Sequence, residues 1–291
     1  IRDRRIGSLT AINRYTGDGV DGVYSGINPY AGIRDVYARE NKWKSNYHSL
    51  QVILRKRFAK GWSWYSAYTY GTAKDYISAY QWGPLTSIER EDMDYGYADY
   101  DYRHRLVGGF VFDLPFFKNT KNWFLKNVFG GWQVSGSFHI TSGQHFAPWG
   151  NTPKTDFNYD GVRYDWPLFL GTDPKDAIKK SGDVPYLDKS MFGVPKKPSA
   201  EKDLSYYNQN FVKRNMFTWY PTNNLDLSIQ KYFTIPVGAR EITFQLIGEV
   251  FNVMKFQQWE LPEQQFALSS FGAVTRKNGE RTAQISLRVM F

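Results

Sequence analysis

Apolar and polar residues alternate one by one in many segments of this chain. The clearest case is the last segment, where residues 283, 285, 287, 289 and 291 are apolar and most of their neighbours are polar. A period of two residues is typical of β-strands that have one apolar and one polar face. The pattern therefore predicts an all-β, antiparallel fold of about eight strands, near 33–40, 46–58, 61–72, 102–114, 130–142, 223–233, 241–254 and 280–291.

Strands with two different faces occur in soluble sandwiches, which bury the apolar faces together, and in membrane barrels, which turn them to lipid. The predicted strands exceed the ~5–6 residues common in soluble sheets and reach the ~9–11 that cross the hydrocarbon of a bilayer. Charged and amide side chains such as Arg55, Gln245 and Glu249 fall in mid-strand on the polar face, which suits a water-filled lumen. The sequence therefore favours a transmembrane β-barrel.

The connections between the predicted strands differ in length from one end to the other. Those at 59–61, 115–129 and 234–240 are short to medium, whereas 72–102, 142–222 and 255–279 are long. Short turns on one side and long loops on the other are typical of outer-membrane barrels. A connection at 41–46 is a short exception on the long side. We therefore predict two regions in the chain. Residues 1–32 form an irregular lead-in or extracellular loop, and residues 33–291 form barrel strands that include a long extracellular loop over 143–222.

Composition narrows the class of protein further. The 291 residues include no Cys, which excludes disulfides and cysteine-bound metals. No run of about 18 apolar residues exists, so membrane-spanning helices are excluded. The formal net charge of +9 is spread along the chain, which favours an anionic surface such as lipid headgroups over nucleic acid. The four His lack metal-ligand spacing and no catalytic constellation is present, so we do not expect an enzyme.

Several motifs, in order along the chain, resemble the barrel of TonB-dependent outer-membrane receptors of the Oar-type group. They include Asn46-Tyr47-His48-Ser49, Asp101-Tyr102-Arg103-His104, Gly130-Gly131-Trp132-Gln133, Ser142-Gly143-Gln144, Asn224-Leu225-Asp226 and Glu249-Val250-Phe251-Asn252. The aromatic Phe291, which ends the last alternating segment, resembles the terminal residue of outer-membrane barrels in general. The resemblance implies ligand uptake across the bacterial outer membrane by a barrel of ~22 strands around a plug. Eight strands are too few for that barrel, so the chain is expected to be its C-terminal portion.

The resemblance also implies partners. The TonB complex would act through a plug domain that is absent from this chain, and a companion chain could complete the barrel wall. The ligand could be a peptide, a glycan or a siderophore. Alternatives that the sequence leaves open are an eight-stranded barrel closed on itself, a soluble aromatic-rich protein that binds glycans, and a porin or adhesin barrel without a plug.

One loop motif predicts a calcium site. Asp156, Asn158 and Asp160 alternate before Gly161, and Asp165 could add a further carboxylate. Ca²⁺ takes 6–8 oxygen ligands, which a tight loop of this kind supplies. The twelfth position of an EF-hand would be Pro167, so the motif is no EF-hand. The alternative is an Asx-turn satisfied by its own backbone. A similar loop occurs in Oar-type receptors, so the resemblance supports the calcium interpretation.

Aromatic residues are dense in the long loop, and four of them are candidate ligand contacts: Trp149, Trp166, Trp219 and Tyr220. Aromatic rings stack on sugars and grip peptides, but they also form small cores that hold a loop closed. Both interpretations are open for each residue. A short helix is predicted near 174–181, with Asp173 as its N-cap and Pro174 as its first residue.

Overall fold

A long antiparallel sheet organises the chain. The computed structural model describes residues 4–13, 36–78, 90–117, 120–150, 157–158, 165–198, 204–238 and 240–291. The long strands are β1 (Arg4–Asn13), β2 (Val36–Ala59), β3 (Trp62–Asp75), β4 (His104–Asp113), β5 (Trp132–Thr141), β6 (Thr222–Val237), β7 (Arg240–Phe251) and β8 (Thr282–Met290). Each pairs with the next in chain order, and the two-residue strand Gly96–Tyr97 adds to β3. Among the described residues the sheet is open, with β1 and β8 as its edges.

Shorter elements occupy the connections. The α-helix α1 (Trp123–Val128) lies between β4 and β5, and single-turn 3₁₀ helices cover Glu91–Asp94, Pro174–Ala177, Lys189–Met191 and Leu204–Asn208. Two-stranded pairs join Ile178–Ser181 with Val184–Leu187, Leu168–Phe169 with Phe192–Gly193, His145–Phe146 with Phe217–Thr218, and Gln258–Trp259 with Lys277–Asn278. Within the described ranges, no helix has the length and apolar composition that crossing a membrane requires.

The register of the sheet places the apolar positions of successive strands on one face. Residues directly opposite in an antiparallel pair share a face, and one such row runs through Trp64, Phe110, Gly136, Leu227, Val250 and Ala283. This apolar face is uncovered: Leu54 is 62% exposed, Leu287 59% and Ile285 82%. A neighbouring row on the opposite face reads Ser63, Val111, Ser135, Ser228, Glu249 and Gln284. The two-faced strands expected from the alternation are confirmed.

The first half of β2 differs from the sequence prediction. Two strands near 33–40 and 46–58 were expected, with a connection at 41–46, but β2 runs unbroken from Val36 to Ala59. The prediction of a turn there is wrong because β1 continues the ladder, with Arg4 opposite Ser45 and Asn13 opposite Val36. The strand is therefore longer than the ~9–11 residues that a bilayer requires, and its polar first half extends past the lipid on the side of the long loops.

Strand β1 itself lies inside the stretch 1–32, for which irregular structure was expected. Its register shifts between Ile6 and Ser8 and again between Ala11 and Asn13. A bulge adds one residue to a strand and so reverses the faces that follow it. The extra residue is in β2 at the first shift and in β1 at the second, so this pairing does not keep one period of two, which is why the alternation gave no signal here.

The helix expected near 174–181 is only partly present. Pro174–Ala177 forms a 3₁₀ turn, and the Asp173 side chain accepts a hydrogen bond from the backbone N–H of Lys175 at 2.9 Å, as the capping prediction requires. The chain then turns into the strand Ile178–Ser181 rather than continuing the helix. Gly182, with φ of +60°, supplies the reversal to the partner strand.

The two faces of β8 predict different tolerance to charge. Leu287 lies on the apolar face opposite Leu246, whereas Gln284 lies on the polar face opposite Glu249 and donates a hydrogen bond to its carboxylate. Leu287→Arg should lower the free energy of unfolding in lipid vesicles by about 2–4 kcal/mol, because a guanidinium near the midplane loses its hydration. Gln284→Arg is the matched control and should change it little. Equal destabilisation in denaturant titrations would contradict the assigned faces.

Candidate functional site

Two regions of the molecule are suited to ligand contact. The first is the polar face of the sheet. The second, which we call the loop domain, consists of the described residues of the connections 76–103, 142–221 and 252–281. All three leave the sheet at the same end, because each follows a strand that runs in one direction and precedes one that returns. At that end the polar-face residues Gly71, Ala73 and Asp75 of β3 are buried, and Asp75 contacts Arg214 of the second connection. The loop domain therefore lies over one end of the polar face.

A packed aromatic core lies inside the loop domain. Phe217 is fully buried at its centre, and the rings of Phe146, Phe169 and Phe192 have centroids 5.7, 5.4 and 5.5 Å from it. Phe271, from the third connection, packs edge-on against Phe192 at 5.4 Å. Tilted and edge-to-face pairs at these distances are favourable. The long loops are thus self-structured and joined to one another.

A smaller cluster joins the first connection to this core. Phe157, Tyr206 and Phe211 are buried together, and Met93 and Phe266 pack against them from the other two connections. The indole N–H of Trp166 donates to the Asp94 carboxylate at 3.2 Å. All three connections therefore share apolar contacts, although they are far apart in sequence.

The four aromatic candidates for ligand binding fall at different depths of this domain. Trp219 is only 5% exposed, and its indole N–H donates to the Trp259 carbonyl at 3.1 Å, so its ring belongs to the core. Trp166 and Tyr220 are half-buried and pack against the same core. Trp149 is half-buried and exchanges backbone hydrogen bonds with Gln264 and Phe266. Ligand contact by these residues stays a prediction, and the three half-buried rings are the ones that a ligand could reach.

Charged side chains fasten the loop domain to the end of β3. The guanidinium of Arg214 lies 3.1 Å from the Asp75 carboxylate and 3.3 Å from that of Asp99, and it donates to the Ser78 hydroxyl at 2.9 Å. Asn215 donates to the Asp99 carboxylate at 2.7 Å. Asp75 is 1% and Arg214 14% exposed. Low exposure makes the loss of one partner costly, because it leaves the other charge buried and uncompensated.

A second buried polar pair joins the first connection to the second. Nε2 of His145 lies 3.1 Å from a carboxylate oxygen of Asp101, and the ring stacks on Tyr97 with centroids 4.2 Å apart. Burial lowers the pKa of His145, although Asp101 opposes the shift. The folded domain thus favours the neutral ring. Below the ordinary histidine pKa of ~6.5, the unfolded chain binds a proton that the folded domain resists. The free energy of unfolding is therefore unaffected by His145 above that pH and falls as the pH drops below it.

The predicted calcium ligands are described only in part. Asp156 and Asp160 lie outside the described residues. Asp165 is 1% exposed, and one of its carboxylate oxygens accepts hydrogen bonds from the backbone N–H groups of Phe157 and Asn158, at 2.7 and 3.1 Å. Asn158 and Asp165 are therefore neighbours, and backbone donors already use part of the carboxylate. The calcium site stays a prediction. In the part of the chain that the structure describes, no group of three or more His, Cys, Asp or Glu is placed to hold a metal ion.

The polar face carries a hydrogen-bonded network and both signs of charge. Gln245 donates to the Gln230 side chain and to the Tyr232 hydroxyl, both at 2.8 Å. Asp226 accepts from the side chain of Asn224 and from the backbone of Asn252, both at 2.8 Å. A groove of about 710 Å³ lies nearby, and its polar lining residues on this face are Arg55, Arg57, Ser63, Tyr65, Ser135, Ser137, Asp226, Ser228 and Glu249. Such a surface offers hydrogen bonds of both kinds to a hydrated solute.

Sequence reasoning did not identify the Arg214 contacts or the pairing of His145 with Asp101. Each joins residues from different connections, and no spacing in the chain relates them. Two quoted motifs lie near them: Asp101-Tyr102-Arg103-His104, which contains Asp101 itself, and Ser142-Gly143-Gln144, at the end of β5. A Cβ on Gly143 would lie 1.7 Å from the carbonyl oxygen of Trp219, so this position accepts only glycine while the backbones stay this close.

Gly143→Ala should therefore loosen the loop domain without harming the sheet. The added methyl must displace the backbone at Trp219, at a cost of about 1–3 kcal/mol. Faster hydrogen exchange over 142–221, with unchanged exchange in β4 and β5, is the expected result. Gly193→Ala is the control, since its Cβ would meet only the mobile end of the Leu170 side chain, at 3.3 Å. Equal protection in both variants would show that the close approach does not hold the domain.

Comparison with known protein families gives an independent result. The family model described as "Outer membrane beta barrel domain" matches residues 3–284. Comparisons with curated proteins and with solved structures found no match. The match agrees with the uncovered apolar face and the long strands, and it places the protein in the bacterial outer membrane, in contact with its lipid. The chain belongs to the outer-membrane β-barrel family.

Proposed function

We propose that this chain forms part of the wall and outer surface of a TonB-dependent receptor that takes up a ligand across the outer membrane. The observation that carries the proposal is the packed loop domain over one end of the polar face. Porin-like diffusion requires an open mouth, whereas a receptor requires a shaped surface that binds its ligand before transport. The motifs that resemble TonB-dependent receptors lie in both parts, at Asp101–His104, where the loop domain joins β4, and at Asn224–Asp226 in the sheet.

The proposal includes a barrel larger than the eight strands. Open sheet edges do not occur in hydrocarbon, because each unpaired N–H or C=O there costs several kcal/mol. Among the described residues, β8 pairs only with β7, and β2 beyond Ser45 pairs only with β3. We therefore infer that further strands, from the same polypeptide or from a companion chain, complete the wall.

In this proposal the ligand first contacts the loop domain, where Trp149, Trp166 and Tyr220 offer half-exposed rings. It then passes along the polar face, whose charged and amide groups replace part of its hydration shell. A plug, rearranged by the TonB complex, would open the path. Peptides, glycans and siderophores all combine polar groups with faces on which rings stack. The role is transport rather than catalysis, since the buried His145 and Asp101 join two loops to each other.

Conductance distinguishes a plugged receptor from a porin. The intact protein, extracted from outer membranes and inserted into planar bilayers in potassium chloride, should conduct little current. Urea added to the side of the short turns should open it reversibly, because a plug unfolds before a barrel of paired strands. Heat-shifted migration on gels would confirm that the barrel is folded. A steady conductance without urea would contradict the receptor proposal and favour a barrel without a plug.

Calcium forms a second part of the proposal. Isothermal titration of the folded protein with calcium chloride should give heat with a Kd at or below the millimolar range, as in extracellular calcium modules. Asp165→Asn should weaken binding, because it removes a charge from the candidate ligands. Asp183→Asn, in an exposed turn of the same loop domain, is the control. An absence of heat at millimolar calcium would overturn the calcium site and leave the receptor proposal standing.

A further inference from the structure

The connection between β4 and β5 exposes an unusual number of aromatic rings. It lies at the short-turn end of the sheet, opposite the loop domain, and we call its described residues, 114–117 and 120–131, the turn-side segment. Trp123 is 64% exposed and Phe124 and Phe116 are each 58% exposed; Phe117 and Phe129 are also exposed. No residue of α1 is buried. Exposed apolar clusters of this kind mark surfaces that contact a partner or a membrane.

The exposed rings are held in a defined arrangement. The Asn122 side chain caps α1 by accepting a hydrogen bond from the Leu125 N–H at 3.1 Å. The ring of Phe129 lies 5.8 Å from that of Phe117 and 6.4 Å from that of Phe124. A short helix therefore presents a fixed aromatic surface.

The segment is continuous with the apolar face of the sheet. The indole N–H of Trp132, the first residue of β5 on that face, donates to the Val128 carbonyl at the end of α1, at 3.2 Å. Lys231 lies opposite Trp132 in the ladder, and its ammonium group donates to the carbonyls of Gly130 and Tyr232. The aromatic surface thus begins where the lipid-facing rows end.

Two lysines mark the depth at which the hydrocarbon ends. Lys56 and Lys231 are on the apolar face, and both direct their ammonium groups toward the short-turn end. Lys56 donates to the carbonyls of Ala59 and Trp62, each at 2.8 Å, and lies 3.8 Å from the ring centroid of Trp62. Lysines on a lipid-facing surface extend in this way to keep the charge at the interface. The turn-side segment is at that same level.

Charge supports the same environment. The turn-side segment contains Lys121 and Lys126 and no Asp or Glu. Lys121 and Lys126 are exposed beside the aromatic rings. A short element with aromatic residues and lysines, and without acids, is suited to an interface with anionic phospholipid headgroups.

We propose that the turn-side segment lies in the interface of the phospholipid leaflet at the short-turn side. Trp123, Phe124 and Phe116 insert among the upper acyl chains, and Lys121 and Lys126 contact headgroup phosphates. The segment anchors the barrel in that leaflet by contacts additional to those of the strands. This inference depends on the outer-membrane location and does not depend on TonB coupling.

Site-directed labelling tests the proposal directly, because the chain has no native Cys. A nitrobenzoxadiazole label is attached to Phe124→Cys in the intact protein, which is reconstituted into vesicles of phosphatidylethanolamine and phosphatidylglycerol. Lipids with a nitroxide near the headgroup should quench this label strongly, and lipids with a nitroxide deep in the chain should quench it less. Leu170→Cys is the matched control, since Leu170 is 60% exposed in the loop domain and its label should respond to neither lipid.

A soluble partner or a second copy of the protein on this surface would give different results. A label on Phe124→Cys that aqueous iodide quenches, and that nitroxide lipids do not, would overturn the proposal and indicate a surface for a soluble partner. Energy transfer between labelled copies that rises with the protein-to-lipid ratio would overturn it in favour of self-association. Phe116→Cys serves as a second position, and heat-shifted migration on gels confirms that each labelled variant is folded.

Discussion

The structure depends on the requirement that backbone N–H and C=O groups inside a lipid bilayer bond to one another. Only neighbouring strands can satisfy it here, so β2 to β8 pair along their membrane-level lengths in simple chain order. Because the pairing register keeps opposite residues on the same face, it also decides which side chains meet lipid. A shift of one residue in any strand would turn its apolar side chains inward and its charges into hydrocarbon. One pairing register therefore determines both the backbone hydrogen bonds and which side chains face lipid.

This constraint moves the packed protein core away from the sheet. In a soluble β-protein the apolar strand faces would form the core, but here they face lipid. The large aromatic residues that are fully enclosed, such as Phe146 and Phe217, are found in the loop domain. Water surrounds that domain, so burial of apolar area stabilises it in the ordinary way. The sheet is thus stabilised in lipid and the loop domain in water. The contacts of Arg214 and His145 lie close to the boundary between these two parts of the molecule.

The sequence predicted the sheet well and the loop domain poorly, for a physical reason. Strand alternation arises because neighbouring residues of one strand face lipid and water in turn. This pattern is visible in a short stretch of sequence, so the ends of β3 to β8 were predicted to within a few residues. Alternation is uninformative where lipid does not contact the strand, at β1 with its bulges and at the polar first half of β2 beyond the bilayer. Aromatic density indicated that the long loop could form a core, and Trp219 follows that alternative. The partners of Arg214 and His145 come from other connections, and local patterns hold no information about them.

The position of Phe217 has a consequence for how such a protein can change over evolutionary time. Its ring contacts side chains contributed from distant stretches of the second connection, and through Phe192 it is linked to Phe271 of the third. Surface loops of barrels ordinarily diversify one at a time, because each is independent of the rest. Here an insertion or a bulky replacement in one connection alters the space available to the others. New ligand preferences would therefore arise through coordinated changes in several loops, or through the few side chains at the rim that the shared core does not use.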